Sequence, residues 1–596
     1  MVVTLHAELD SAADDAPGGL EPPHSRLAAP AAKHRTRPTA WALLGAPLLI
    51  VAVALFIVVF DNLPMWDSVA RATELDEHRL AIVLSLFTIV FFTLTSVLAL
   101  APGARALKVL AAALLLIAAT AGFFMSEYGI VIDVSMIRNI AQTKTREVAP
   151  LLSAAFLQHL FFFGVVPAVG LFFVRLGSVG FWRGLLVRCG VAVLGTGAMV
   201  GSVYANFGAV SFFGHQHHDV RLLMNPGYPL FAAARFAFGG EDEPTVREPL
   251  NARLALGLPA ARKPALLIFV MGETARADRF SLNGYQRDTN RYTRPLGVVN
   301  FPDVTSCGTS TADSVPCVFS HLGRQQFTHV DAARYESVLG TLARLGVDVS
   351  WRDNSTGCKG VCGSEDFEQL ATRTDADFCD NTGCFDEILL KNFDALLAEP
   401  ARDHVIVLHQ RGSHGPAYHT DTPAWIKQFV PECDRPNLRN CARAEVNNAY
   451  DNTILYTDYF LSRVIAALEA KSGAFDTAML YVSDHGESLG ENGLYLHGFP
   501  YALAPPEQTR VPMLFWASPG FYANRAGIAP ECLRTVATRH TSHDAVFHTL
   551  LPLFAVESVT YQPALDLFTE CRQTSDQPRE QRAGYTIASA NSASSF

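Results

Sequence analysis

Four residues of metal-binding type recur in one local setting. Glu273, His414, Asp484 and His485 each follow, within a few residues, a short apolar run: 265–271 (ALLIFVM), 404–409 (HVIVLH) or 478–482 (AMLYV). Carboxylate and imidazole together are the donors that a zinc-like divalent cation takes. Singly, each is as well explained as a surface carboxylate or a hydrogen-bonded histidine. Their recurrence at the ends of three runs is what points to a metal centre. His497, twelve residues after His485 in Leu496-His497-Gly498, is a further polar candidate. A metal that polarises a phosphate needs an attacking group. The stretch SCGTSTADSVPC, from Ser306 to Cys317, offers several hydroxyls just ahead of a helical pattern. A helix N-terminus there favours an anionic phosphate and a developing alkoxide; the plainer reading is a Ser/Thr helix cap.

Such residues meet only if the elements before them are aligned. Nearly continuous apolar runs of this length read as strands buried on both faces, and 511–516 (VPMLFW) is a plausible fourth. Helical patterns separate them, at 449–470 and after Ser314. Strands alternating with helices predict a mainly parallel sheet, and ligands of such sheets bind beyond the carboxyl ends of the strands.

The cysteines place this half of the chain in an oxidising compartment. Cys189 stands alone, and the other ten lie between Cys307 and Cys571. Cys307 and Cys317, Cys358 and Cys362, Cys379 and Cys384, and Cys433 and Cys441 are close pairs, which predicts short-loop disulfides. Cys532 and Cys571 remain as a fifth candidate pair. A zinc ribbon fits poorly, because the spacings are irregular and no histidine completes a set.

The first third of the chain is of another kind. Apolar runs at 41–60, 80–100, 106–125, 152–174 and 184–206 each approach the ~20 residues that cross a bilayer as a helix. With the N-terminus inside, nine Lys and Arg (Arg26, Lys33, Arg35, Arg37, Arg105, Lys108, Arg175, Arg183, Arg188) face the cytoplasm and five (Arg71, Arg79, Arg138, Lys144, Arg146) face away. Five spans then carry everything after residue 206 outside, in agreement with the cysteines. The expected organisation is a disordered cytoplasmic tail (1–38), a five-helix transmembrane domain (39–206), an interfacial bridging segment (207–255), a periplasmic catalytic domain (256–572) and a disordered tail (573–596). Within the bridge, His215, His217 and His218 read better as part of a solvated interfacial helix than as ligands. A formal net charge of -10 argues against a nucleic-acid partner.

These motifs resemble the lipid A phosphoethanolamine transferases, a family of the alkaline-phosphatase and sulfatase superfamily that includes the mobile colistin-resistance enzymes. The resemblance runs from the first apolar run to about residue 570 and rests on MGETARADRF, SCGTSTADSVPC, GSHGPAY, NTILYTDYFL and SDHGESLGENGLYLHG. It implies an α-helical transmembrane domain of five helices followed by an α/β/α alkaline-phosphatase-like periplasmic domain, in a bacterial inner membrane. Thr311 matches the threonine nucleophile, and Glu273, Asp484 and His485 match the other ligands of a zinc ion that Thr311 completes. His414 and His497 match histidines near the substrate phosphate that hold a second zinc in some members. Lys359 matches a basic residue of the substrate pocket, and Thr356 stands where the family often has serine. Asn139, Thr143 and Glu147, in MIRNIAQTKTREV, match polar groups that reach towards the headgroup. Their four-residue spacing puts them on one face if the segment is helical; on the residues alone they read as a solvated face.

The resemblance implies transfer in two steps. Thr311 attacks the phosphorus of phosphatidylethanolamine and expels diacylglycerol, and a lipid A phosphate then takes phosphoethanolamine from the threonine. A monomer is expected. A sulfatase is disfavoured, because neither Cys307-Gly308-Thr309 nor Cys317-Val318-Phe319 fits a C/S-x-P-x-R motif. A transferase acting on another envelope acceptor, such as core oligosaccharide, remains open. A non-catalytic scaffold is disfavoured by the intact Glu273, Thr311, Asp484 and His485.

Overall fold

The structure, a computed structural model, describes residues 40–572 except 75–77, 144–147, 149–150, 178–180, 209, 211–212, 214–216, 239–246, 256–261, 363–366, 398–400 and 436–437. Both expected tails, and Glu147 and His215 among the candidates, lie outside the described residues.

Among the described residues, four helices are long and apolar enough to cross a membrane: Arg79–Ala99, Ala104–Tyr128, Ala154–Phe173 and Trp182–Ala205. The first apolar run is the helix Ala40–Phe60. Gly45–Phe60 breaks at Asp61 and Asn62, and the chain turns by 58° into Leu63–Ala72. The Asn62 amide caps the break by bonding the Ile57 carbonyl at 3.0 Å and the Asn225 carbonyl at 2.8 Å. Counting the bent pair as one span gives five. Polar side chains join helices whose outer faces are apolar: Asn206 donates to Ser85 Oγ at 3.3 Å, and Asn225 donates to the Ala118 carbonyl at 2.7 Å. The helices His218–Leu222 and Gly227–Phe238 lie beyond the spans; the latter exposes Phe231 and Phe238.

The second half of the chain is built on an eight-stranded sheet in the order Thr541–Ser542, Val299–Thr305, Arg510–Ala517, Asp476–Ser483, Ala265–Gly272, His404–His409, Asp348–Asp353 and Phe367–Gln369. From Asp476–Ser483 to Phe367–Gln369 the strands are parallel, as the apolar runs predict. Arg510–Ala517 runs antiparallel to both neighbours, which makes the sheet mixed. Alternate residues of the central strand enter separate cores: Leu267, Phe269 and Met271 on one face, Leu266, Ile268 and Val270 on the other. That is why its apolar run is unbroken. The 29-residue helix Arg443–Lys471 covers the second face.

Register is what positions the site. Gly272 pairs with Ser483, Met271 with both Val482 and His409, and His409 with Asp353. Four chain segments therefore leave the sheet at the same level and side.

Five disulfides cross-link this half of the chain: Cys307–Cys317, Cys358–Cys362, Cys379–Cys384, Cys433–Cys441 and Cys532–Cys571. Cys189 is free, as its isolation in the sequence suggests.

Candidate active site

Glu273 and Asp484 each stand one residue past paired strand ends, and His485 follows Asp484. All three are fully buried, and one donor atom from each lies within 4.8 Å of the others. His485 Nε2 is 3.4 Å from Glu273 Oε1 and 3.3 Å from Asp484 Oδ2. Thr311 is the first residue of the helix Thr311–Val318. Its hydroxyl lies 3.0 and 3.1 Å from the two Glu273 oxygens and 3.5 Å from His485 Nε2. Ser310, extended, precedes the helix, so Thr311 sits where the unpaired amides of the N-terminus concentrate positive potential.

The backbone around these groups is tightly held. Thr274 adopts a φ of 60° and donates its amide to Asp484 Oδ1 at 3.0 Å and its hydroxyl to Glu273 Oε1 at 2.8 Å. Tyr450, on the long helix, donates to the Thr274 carbonyl at 2.7 Å. Buried His543 ties the loop ahead of Thr311 to the sheet: its Nδ1 accepts the Cys307 amide at 3.0 Å, and its Nε2 donates to the Ser483 carbonyl at 2.9 Å.

The cluster's electrostatics suit a divalent cation. Burial pushes the Glu273 carboxyl up, but the imidazoles of His409 and His485 outweigh this and hold it well below its usual range. Burial and the Glu273 charge push Asp484 up to about 6. Burial disfavours charge on His485, yet Asp484 and Glu273 raise it to about 10. Two carboxylates and an imidazole thus compete for one positive charge in a site closed to water. The His485 Nδ1–H faces the Gly486 carbonyl at 2.9 Å, which turns Nε2 inward to take a proton or a metal. Two carboxylates, one imidazole and an adjoining hydroxyl match a tetrahedral zinc set.

His414 and His497 lie at the edge of the cluster. Their ring centroids are 5.1 Å apart, and His497 is 4.4 Å from His485. His497 Nδ1 is 3.1 Å from Glu487 Oε2. Burial, with the neighbouring histidines, keeps His497 well below its ordinary pKa, and burial lifts Glu487 to about 8. The pair is therefore held without net charge near neutrality.

The remaining candidates are spread more widely. Lys359, with a φ of 49°, lines a small cavity of about 50 Å³ with Arg247, His329 and Glu336. Thr356 Oγ1 is buried and makes no hydrogen bond among the described residues; its neighbour Ser355 donates to Glu273 Oε2 at 3.3 Å. The helix predicted through Asn139, Thr143 and Glu147 is shorter than the spacing suggests. It spans Val134–Gln142, with Asn139 on it and Thr143 extended at its end. The Thr143 hydroxyl bonds back to the Asn139 carbonyl at 2.6 Å, satisfying the acceptor that a further turn would use.

A layer of support escapes the sequence reading. His409 Nε2 lies 3.6 Å from Glu273 Oε2, and its Nδ1 is 2.7 Å from Asp353 Oδ1. Asp353 and Glu273 raise His409 to about 9 against the effect of burial, so it faces Glu273 as a cation. Asp386 receives the amides of Arg411 and Gly412 at 2.8 and 3.1 Å and so shapes the loop that carries His414. His409 and Asp353 are both strand-terminal polar residues, a signal shared with Glu273 and Asp484.

The chain has close relatives. The sulfatase family model matches residues 265–556, and the model for phosphoethanolamine transferase EptA/EptB matches residues 87–238. Phosphatidylethanolamine transferase Mcr-1 of Escherichia coli is 38% identical over 525 residues, covering 85% of this chain and 95% of that protein. Phosphoethanolamine transferase EptA of Escherichia coli K12 is 36% identical over 552 residues, covering 90% and 97%. The solved structure of the integral membrane lipooligosaccharide phosphoethanolamine transferase A from Neisseria meningitidis superposes with a TM-score of 0.84 at 32% identity, covering 89% of this chain and 99% of that one.

Proposed function

The chain belongs to the phosphoethanolamine transferase family of the alkaline-phosphatase and sulfatase superfamily, and from that premise we propose that it moves phosphoethanolamine from phosphatidylethanolamine to a phosphate of lipid A through an ester on Thr311. The observation that carries this reading is the Thr311 hydroxyl, 3.0 Å from Glu273 in a buried cluster of metal-ligand type.

Glu273, Asp484, His485 and Thr311 Oγ1 would hold one zinc ion, which when bound lowers the pKa of the hydroxyl and offsets charge in the transition state. Thr311 Oγ1 attacks phosphorus, and the bond from phosphorus to the glycerol oxygen breaks. Glu273 accepts the hydrogen bond that orients the hydroxyl for attack. His414 and His497 flank the phosphoryl oxygens; neutral His497 can donate a hydrogen bond there, and His414 in its imidazolium form would protonate the departing diacylglycerol oxygen. In the second step a phosphate oxygen of the acceptor attacks the same phosphorus, and Thr311 leaves. Lys359, Thr356, Asn139, Thr143 and Glu147 orient the donor headgroup. Both substrates are lipids, so membrane helices keep the site at the bilayer. The protein resides in the inner membrane with the sheet domain in the periplasm.

Mass spectrometry of lipid A from cells with and without the protein tests the reading, with Thr311→Ala as control. Lipid A gains a phosphoethanolamine mass only with the unaltered chain. Unchanged lipid A, with phosphoethanolamine appearing on core oligosaccharide, would overturn the acceptor assignment and leave the transferase reading standing.

A further inference from the structure

Two residues after the Thr311 nucleophile, Asp313 reaches out of the catalytic domain. Its Oδ2 accepts a hydrogen bond from Ser135 Oγ, and its Oδ1 lies 2.7 Å from His329 Nε2. Ser135 is the second residue of the helix Val134–Gln142, which lies between two membrane-spanning helices. The start of that helix is fixed by Asp133, whose side chain accepts the Met136 amide at 2.8 Å. Its next residue, Met136, packs its Cε against Gly498, where a β-carbon would come within 2.6 Å of it. The Gly498 amide in turn donates to the Thr309 carbonyl at 2.7 Å. One short helix of the membrane domain thus touches both the turn that bears Thr311 and the residue beside His497.

The same helix carries Asn139, with Thr143 at its end. A carboxylate in the first turn of a helix needs no partner to be favourable there, and Ser310 already donates to Asp313 Oδ2 at 3.3 Å. Local capping accounts for that contact but not for the bonds to Ser135 and His329, which lie on separate elements.

We propose that Asp313 is a positioning residue, a clasp between the nucleophile helix and the donor loop of the membrane domain. It acts through the placement of these two elements and not on the reacting atoms. It sets the distance between a headgroup held in the bilayer and the Thr311 hydroxyl, a placement in which 1 Å is worth about a hundredfold in rate. The clasp rests on the reading that the donor is a bilayer lipid. It predicts that a donor free in water, able to diffuse to Thr311 unaided, does not need it.

The test uses the full-length protein in vesicles containing phosphatidylethanolamine and, separately, with the water-soluble p-nitrophenyl ester of phosphoethanolamine. Ser135→Ala and Asp313→Ala each lower diacylglycerol release about tenfold or more, while nitrophenol release stays within about twofold of the unaltered protein. Ser135→Thr, which keeps the hydroxyl, restores diacylglycerol release. The double variant is no worse than Asp313→Ala alone, because both changes break one contact. Equal losses on both donors assign Asp313 to the structure of the nucleophile helix and overturn the clasp. Unaltered protein that releases diacylglycerol, matched by both variants, also overturns it. Unaltered protein that cleaves the soluble ester but releases no diacylglycerol overturns the donor reading, and the clasp with it.

Discussion

The Thr311 hydroxyl lies 3.0 Å from a Glu273 oxygen, although 38 residues separate the two in the chain. The contact joins a helix N-terminus to the end of the central strand, so the Thr311 oxygen is fixed by two rigid elements and not by a loop. Removing that oxygen should spare the fold, because Thr311 is the first residue of its helix. We expect Thr311→Ala to lower diacylglycerol release by about a thousandfold or more, with the melting temperature and bound zinc little changed. Intact-mass measurement after incubation with donor should show a phosphoethanolamine adduct on the unaltered chain alone. An adduct on Thr311→Ala would move the nucleophile elsewhere.

Glu273 has its own support. Asp353, fully buried beside His409, keeps that imidazole charged and turned towards Glu273. Asp353→Asn removes the charge but keeps a hydrogen-bonding group, so His409 should lose its cation. Partners of this kind are worth about 10–100-fold in metal affinity. We expect the variant to bind zinc more weakly by that order in a competition titration with a chelator. The unaltered protein, stripped by a strong chelator, should regain activity with Zn²⁺ and not with Mg²⁺, which prefers oxygen donors. Equal zinc affinity in the two proteins would confine Asp353 to packing.

Much of this site is legible in the sequence, and what is not has physical reasons. The unbroken run at 265–271 reads as a strand with two buried faces, and Leu266 and Leu267 do enter opposite cores. Glu273, Asp484 and His485 stand out because acidic groups follow such runs. The register that brings them together depends on pairing between distant segments, which no local pattern encodes. Val299–Thr305 is hidden because its burial is discontinuous and it contains Pro302. His409 reads as the polar end of a strand, since its partner Asp353 lies on a strand whose first half is only partly buried. Cys532 and Cys571 are 39 residues apart, so their pairing is a property of the fold and not of the spacing. The first run, 41–60, is the helix Ala40–Phe60, but the turn that follows it rests on Asn62 pairing with Asn225, which no local pattern encodes.

Acid should weaken the protein through His543. Burial, aided by the nearby charge of His485, lowers its folded-state pKa from 6.5 to about 3, although the hydrogen bond to the Ser483 carbonyl favours the charged form. Above 6.5 it is neutral whether the chain is folded or not, and it has no effect on the pH dependence of stability. As pH falls from 6.5 towards 3, the unfolded chain takes a proton that the folded chain refuses, and stability declines. The slope is about 1.4 kcal/mol per pH unit, or about 2 kcal/mol by pH 5. Thermal melts of the full-length protein in detergent should therefore fall between about pH 6.5 and about pH 5. His543→Asn should start lower at neutral pH and fall less steeply over the same window. Parallel slopes would remove His543 as the source.

Gly412 tests how closely the site is packed. Its φ of 57° lies in the left-handed region, and a β-carbon there would come within 2.6 Å of the Glu273 carbonyl oxygen and 3.0 Å of its amide nitrogen. Both atoms are backbone and belong to the strand end that aims the Glu273 carboxylate at Thr311. Gly412→Ala cannot be relieved by a side-chain rotation. Either the Glu273 backbone retreats, or the loop anchored by Asp386 at the Gly412 amide shifts and takes His414 with it. In both cases a group near the reacting atoms moves by several tenths of an ångström or more. We expect Gly412→Ala to cut diacylglycerol release by about a hundredfold. Zinc content should separate the two routes: loss of zinc marks movement of Glu273, and retained zinc with lost activity marks movement of His414. Activity within about twofold of the unaltered protein would show that the strand end tolerates displacement, and that the Thr311–Glu273 distance is less critical than the geometry implies.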